Sequence, residues 1–366
     1  MRLDTTRIKP YPRHQKELND IKIEMLLLCR PEFTSALATE AAARGCSGSL
    51  NVQPGLLRLT SSPLSPPEFI FERQRMVQPV FIPASNLKPL SEATVRAMLG
   101  EAIEAKPLFT VHFLALEQAE ADDAPDTKRL EGIWNTALRL GKKLAPDIEK
   151  RFRPPHRLKP GGQVIQLLLT TDGLWFSHEA IETMVNPRPG GFSRQRFDAL
   201  APSRSYLKME ESLDRMPEPP QSGESVVDLG AAPGGWTYSF LKRGCHVTAV
   251  DHGPMKLPPS QPGWGTVRHL RENGITFEPD IKVDWLVADM LIAPGVALGL
   301  LRRWTATTRA RNIICNIKLP QENPWLAIEP IEKMLQDQQT YRWSIKQLYH
   351  DRREVTVMMI YQQDGR

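Results

Sequence analysis

The chain has 366 residues, enough for two or three domains, each with its own core. Charged residues make up 24% and hydrophobic residues 41%, the proportions of an ordinary globular protein, and no apolar run of about 18 residues offers a membrane-spanning helix. The formal net charge of +5 is small, so any argument about partners rests on where the charges lie.

The opening stretch MRLDTTRIKPYPRHQKELND is basic but has neither an apolar core nor a small-residue cleavage site. It reads as a loosely attached tail and not as a targeting segment. EMLLLCR (24–30) has the apolar run of a buried strand, and FTSALATEAAARG reads as a helix with Gly45 just past its end. GLLRLT, EFIFERQRMVQPVFI, LFTVHFLAL and QVIQLLLTT are further strand candidates, while SEATVRAMLGEAIEA and LEGIWNTALRLGKKL have helical spacing. The mixture predicts small α+β units. RFRPPHRLKPGG (151–162) and PRPGGF (187–192) interrupt the pattern. Residues 128–159 carry ten Lys/Arg against three acids, an excess of seven that is larger than the net charge of the whole chain.

From Val226 the pattern becomes regular. VVDLG (226–230), HVTAVD (246–251), VDWLVADM (283–290), NIICNIKL (312–319), RWSIKQLY (342–349) and VTVMMIY (355–361) read as strands. WTYSFLKRG, VALGLLRRWTATT and LAIEPIEKMLQDQQ read as helices between them. Such alternation predicts a doubly wound, mostly parallel sheet. The short HDRRE connection makes the last two strands a hairpin, so the sheet has an antiparallel member. Cys29, Cys46, Cys245 and Cys315 have no C-x-x-C spacing, which argues against a zinc ribbon or disulfide framework and fits a reducing cytoplasm.

The stretch DLGAAPGGW (228–236) sits at the first strand–helix turn of this second half. Gly230 permits a tight exit from the strand, and Gly234 and Gly235 permit a close approach to the helix start. One reading is an ordinary βα turn; the other is a ligand cradle. No lysine follows the glycines, so a triphosphate loop is disfavoured, and Ala232 takes the place of the second glycine of a dinucleotide fingerprint. The ligand expected here is bulky and poor in phosphate. Asp251 ends the next strand, where a carboxylate can accept from a ribose diol, and Asp289 ends the strand VDWLVADM over the same crevice. Asp228, Gly230, Ala232, Pro233, Gly234, Gly235, Asp251 and Asp289 together point to S-adenosylmethionine, whose sulfonium charge favours an acidic pocket.

The methyl acceptor is narrowed by what is missing. Asp289-Met290-Leu291 is not the Asp/Asn-Pro-Pro-aromatic box of base N-methylation, and Cys315 lies mid-strand, where a packed thiol is the plainer reading. Lys318 ends the apolar strand IICNI and projects into the crevice of Asp289. Lys208 and Glu354 also lie at element ends. APSRSYLKMEESL, VVDLGAAPGGWTYSFLKRG, VTAVDHGPM, NIKLP and QLYHDRREVTV then resemble the RlmM family of ribosomal RNA ribose 2′-O-methyltransferases over roughly 201–361.

The resemblance implies a Rossmann-like methyltransferase domain over 186–366 and a ferredoxin-like plus THUMP-type RNA-binding region over 24–185, with 1–23 as an extension. It implies methylation of a cytidine ribose in 23S rRNA, with Lys208, Asp289, Lys318 and Glu354 matching a Lys-Asp-Lys-Glu tetrad; nothing in the sequence demands an oligomer, so a monomer is the default expectation. Lys318 is expected to be the general base, its ammonium lowered by burial and by Lys208 nearby. To the cofactor residues the family pattern adds Ser205 and position 273, where this chain has Asn273 in place of the usual Asp. The basic window, with Arg188, Arg194, Arg196 and Arg204, is expected to hold RNA phosphates, and Trp134, Phe152 and His156 are candidates for stacking on bases. A different RNA substrate, or a non-catalytic assembly factor with a decayed cofactor fold, are the competing readings.

Overall fold

The computed structural model describes residues 22–63, 68–83, 109–114, 116, 162–170, 172–186, 188, 193 and 195–362. The chain divides into two compact units between Phe192 and Ser193, at the end of the PRPGGF break and a few residues beyond the expected division. The helices expected at 91–105 and 130–144, the basic window 128–159, Arg194, Trp134, Phe152 and His156 lie outside the described residues.

In the first unit, β1 (Lys22–Leu28), β2 (Ser47–Gln53), β3 (Leu56–Pro63) and β4 (Gln74–Val77) form a sheet of order β2-β3-β1-β4. Its neighbours pair antiparallel, and α1 (Thr34–Ala43) crosses between β1 and β2. Gly45 takes φ +80°, the left-handed residue that stops α1 where the sequence places its end. A second sheet has the order β5-β8-β7-β6, from β5 (Val80–Pro83), β6 (Phe109–Leu114), β7 (Gln163–Leu169) and β8 (Gly173–Ala180).

EFIFERQRMVQPVFI is not one strand. β4 and β5 belong to different sheets, separated at Gln78 (φ +45°) and Pro79, which has no N–H to give a ladder. The N–H groups of Ile70 and Phe71 donate instead to the buried Glu40 carboxylate at 2.6 and 3.2 Å. Burial, partly offset by Arg44, pushes the Glu40 carboxyl up to about 7.

In the second unit, seven strands among the described residues form one sheet: β9 (Ser225–Leu229), β10 (His246–Val250), β11 (Val267–Leu270), β12 (Val283–Ala288), β13 (Ala310–Lys318), β14 (Tyr341–Lys346) and β15 (Glu354–Tyr361). Their order is β11-β10-β9-β12-β13-β15-β14. The first five are parallel, β15 runs antiparallel to β13, and β14 pairs antiparallel with β15 at the edge. The strand order reverses at β9, so the crevice above the carboxyl ends of β9 and β12 is the switch point where doubly wound folds bind ligands.

Both faces of the sheet are covered, which is why IICNI reads as an unbroken apolar run. On one face α2 (Tyr206–Arg215) and α3 (Gly235–Leu241) bring Met209, Leu213, Trp236 and Phe240 onto Val226, Trp285, Val287 and Ile314. α4 (Pro294–Thr307) and α5 (Pro324–Asp337) bury Leu301, Trp304, Ile328 and Leu335. Truncating one of these large side chains to alanine costs about 2–5 kcal/mol. No helix among the described residues is long and apolar enough to cross a membrane.

Candidate active site

Four ionisable side chains from four separate elements meet at the carboxyl edge of the sheet. Lys208 sits in the first turn of α2, Asp289 directly after β12, Lys318 at the last position of β13 and Glu354 at the first position of β15. Lys318 and Glu354 are register partners across the β13–β15 pair. Lys318 Nζ donates to Asp289 Oδ1 at 2.6 Å and to Glu354 Oε2; Lys208 Nζ contacts Glu354 Oε1 and lies 3.8 Å from Asp289 Oδ2. The four charges alternate around a closed ring with no net charge. Glu354 is 5% exposed and Lys318 25% exposed at the side chain, so the ring has an inner carboxylate and an outer amine.

The expected lowering of Lys318 does not occur. Burial acts to lower its ammonium, but Glu354 and Asp289 outweigh burial and hold it above the usual lysine range. Lys208 is not the neighbour that sets its charge, because carboxylates stand between the two amines. Burial acts to raise Glu354, but Lys208 and Lys318 prevail and keep it ionised. Cys315, three residues before Lys318 on β13, is buried, and its thiol is pushed up to about 12, chiefly by burial, which disfavours a thiolate nucleophile.

A second row, not singled out in the sequence, stands behind the ring. Asn316 donates to Asp289 Oδ1 at 3.3 Å, and Thr356 Oγ1 lies 2.6 Å from Asn316 Oδ1 and 3.0 Å from Asp351 Oδ2. Glu211, one helical turn after Lys208, accepts from Tyr349 N–H at 2.9 Å, His350 N–H at 3.0 Å and His350 Nδ1 at 2.8 Å. It thereby ties the β14–β15 connection to the helix that carries Lys208. The signal was present as spacing: Asn316 and Thr356 lie two residues from Lys318 and Glu354 on the same strand faces.

The glycine turn borders this ring. Gly230 has φ +75° and Gly234 φ +114°, backbone shapes that a side chain disfavours. A Cβ on Gly235 would come within 2.4 Å of both the Ser203 and Ser205 hydroxyls, and one on Gly234 within 2.9 Å of Leu257. The bare backbone therefore makes room for the protein's own segments, a use that the sequence reading assigned to a ligand. Trp236 Nε1 donates to Ser205 O at 3.0 Å and locks the Ser203–Ser205 segment on the turn.

The carboxylate oxygens of Asp251 accept from Ala232 N–H at 3.0 Å and Gly253 N–H at 2.7 Å, which aims the group and leaves further lone pairs for a diol. Asn273 is exposed, and its side-chain oxygen accepts from Ile275 N–H at 2.9 Å. Asp228 lies beneath the turn, 1% exposed; it holds Thr237 Oγ1 at 2.6 Å and has an Oδ1 with no hydrogen-bond partner among the described residues. Burial raises its carboxyl to about 7, against the pull of Thr237. Pro233 joins Ala232 in a turn without any cationic side chain. Acceptors at the strand ends and no phosphate-binding cation fit S-adenosylmethionine.

Residues 201–319 match the FtsJ-like methyltransferase family. The chain is 33% identical over 357 residues to a ribosomal RNA large subunit methyltransferase M of Alkalilimnicola ehrlichii, covering 91% of this chain and 93% of the relative. It is 32% identical over 371 residues to the protein of that name from Azoarcus sp., covering 92% and 95%. To the Laribacter hongkongensis protein it is 44% identical over 252 residues, 66% of this chain and 69% of the relative. With that identity carried across both units and not only the methyltransferase sheet, the chain belongs to the ribosomal RNA large subunit methyltransferase M family.

Proposed function

We propose that this chain is an S-adenosylmethionine-dependent methyltransferase that modifies the ribose 2′-hydroxyl of a cytidine in 23S rRNA, acting in the cytoplasm as a monomer. The observation that carries the reading is the closed ring of Lys208, Glu354, Lys318 and Asp289 beside the glycine turn. A sugar hydroxyl is a weak nucleophile until its proton leaves, and a positioned lysine that has given up its own proton can take it.

Asp251 would hold the ribose of the cofactor, with Ser205, Gly230, Ala232, Gly234 and Gly235 shaping its pocket, Asp228 supporting the turn from beneath and Asn273 at the rim. When bound, S-adenosylmethionine would supply a methyl group on a sulfonium. Lys318, an ammonium at rest, must first release its own proton to solvent, after which its free amine accepts the 2′-hydroxyl proton. Glu354 holds Lys318 in place, and Lys208 balances the charge of Glu354. The first unit, read as a ferredoxin-like and THUMP-type region, would hold the RNA, with the 128–159 window as the phosphate-contacting stretch.

The test is incubation of the purified protein with labelled S-adenosylmethionine and either naked or assembled 23S rRNA, followed by mapping of the modified nucleotide. A single alkali-resistant cytidine linkage is expected. Label on a base, or on another RNA only, overturns the assignment.

A further inference from the structure

The row behind the charged ring carries a directional argument. β13 and β15 pair Asn316 with Thr356 directly, and both side chains are buried. The Asn316 amide donates to Asp289 Oδ1, which turns its own oxygen toward Thr356 Oγ1 at 2.6 Å. The same hydroxyl lies 3.0 Å from Asp351 Oδ2, in a residue 1% exposed whose Oδ2 also accepts from Leu348 N–H at 2.9 Å.

A hydroxyl has one proton to donate, and an amide oxygen can only accept. At 2.6 Å the Thr356 proton belongs to Asn316; otherwise two oxygens would face each other at that distance with nothing between them. The contact with Asp351 must then run the other way, from a carboxyl O–H to the Thr356 oxygen. An ionised carboxylate could only accept, and would meet a lone pair. We propose that Asp351 is a positioning residue held in its protonated form, the start of a chain Asp351–Thr356–Asn316–Asp289 that orients the carboxylate holding Lys318. Its catalytic consequence rests on the methyl-transfer reading above; its protonation does not.

The surroundings agree. Burial raises the Asp351 carboxyl well above its ordinary range, reinforced by Glu354 from β15 and Glu211 from α2 and opposed by Lys208 from α2. His350, the preceding residue, is engaged by Glu211. With every donor in the row pointing toward Asp289, each hydrogen bond polarises the next.

Two measurements on the full-length protein test this. Wild type and Asp351→Asn are melted in parallel from about pH 5 to about pH 8; the folded wild type keeps a proton that its unfolded chain releases, so it should lose stability relative to the variant as pH rises. A difference that stays constant with pH overturns the protonated form. In methyl transfer to 23S rRNA, Asp351→Ala should lower kcat about tenfold or more while KM for the cofactor moves less, and Asp351→Asn, with an N–H in place of the O–H, should recover most of the loss. An Asn variant as slow as the Ala variant, or an Ala variant as fast as wild type, overturns the positioning role. Thr356→Val, matched in shape, guards against a folding defect in the alanine variant: valine should slow transfer and Thr356→Ser should recover it, and equal rates overturn the proposal. If the wild type methylates no RNA, the methyl-transfer reading fails by itself, and the melting comparison still decides the protonation of Asp351.

Discussion

Lys318 and Glu354 face each other as the last residue of β13 and the first of β15, so one side of the charged ring is set by antiparallel register and not by a loop. A slip of one residue would send Lys318 to the opposite face of the sheet. The inner carboxylate is therefore as fixed as the core strand below it, where Ile317, Val355 and Val357 are fully buried.

Replacing Lys318 separates charge from basicity. Lys318→Ala should reduce methyl transfer by about 10²–10⁴-fold, the range for loss of a general base. Calorimetric binding of S-adenosylmethionine should change little. Lys318→Arg keeps a cation between Asp289 and Glu354 but cannot release a proton at working pH, so it should be nearly as slow. Full turnover by the arginine variant would show that charge alone suffices.

The pH profile follows from the raised ammonium. Because Asp289 and Glu354 hold Lys318 above the usual lysine range, the resting amine is protonated, and the free form grows about tenfold per pH unit below its pKa. Single-turnover rates should climb through neutrality into the alkaline range. Asp289→Asn removes one of the two raising carboxylates and should shift the profile to lower pH. Superimposable profiles would exclude Lys318 as the titrating base.

Glu211 is buried against His350 and two backbone N–H groups. Burial acts to raise its carboxyl, but His350, Arg215 and the Tyr349 N–H together more than cancel that and keep it below the usual range. Glu211→Ala strands those donors and should cost about 3 kcal/mol in urea unfolding. A loss near zero would mean that the β14–β15 connection is held by other contacts.

Gly235→Ala places a methyl 2.4 Å from two hydroxyl oxygens. It should destabilise the fold by about 1–3 kcal/mol and weaken cofactor binding by displacing Ser205. Adding Ser203→Ala and Ser205→Ala in the same chain restores room and should recover thermal stability; no recovery would assign the cost elsewhere.

Arg196, Phe197 and Arg204 are exposed in the segment leading into α2. If that segment meets RNA phosphates, reversing both arginines should weaken binding and reduce the magnitude of its salt slope by about one for each phosphate no longer neutralised. An unchanged slope would remove the segment from the interface.

Much of the second unit was legible because its helices and strands alternate with regular punctuation. The apolar runs VVDLG, HVTAV and IICNIK mark strands buried on both faces, and the glycine turn, Asp251, Asp289 and Lys318 each fall at a strand's carboxyl end, where topology sends them to one crevice. β2, β8 and β11 were less visible. SGSLNVQ and VRHL are polar, and β11 is only four residues long with none of its side chains buried. The break inside EFIFERQRMVQPVFI is hidden in a continuous apolar pattern; Glu40, thirty residues away, draws the Ile70 and Phe71 N–H groups out of any ladder.

By itself, the sequence determined the alternating sheet and the absence of a lysine from the glycine turn, since these depend on local spacing and side-chain chemistry; the four ionisable residues stood out singly at element ends and were grouped by the family resemblance. Tertiary structure alone brought the four together and set the charge of Lys318. Whether Lys318 is lowered by an amine or raised by carboxylates depends on which group stands nearest once β13, β15, β12 and α2 have packed, and no spacing along the chain encodes that distance. The same holds for Gly235, whose missing side chain makes room for Ser203 and Ser205, residues brought there only by folding.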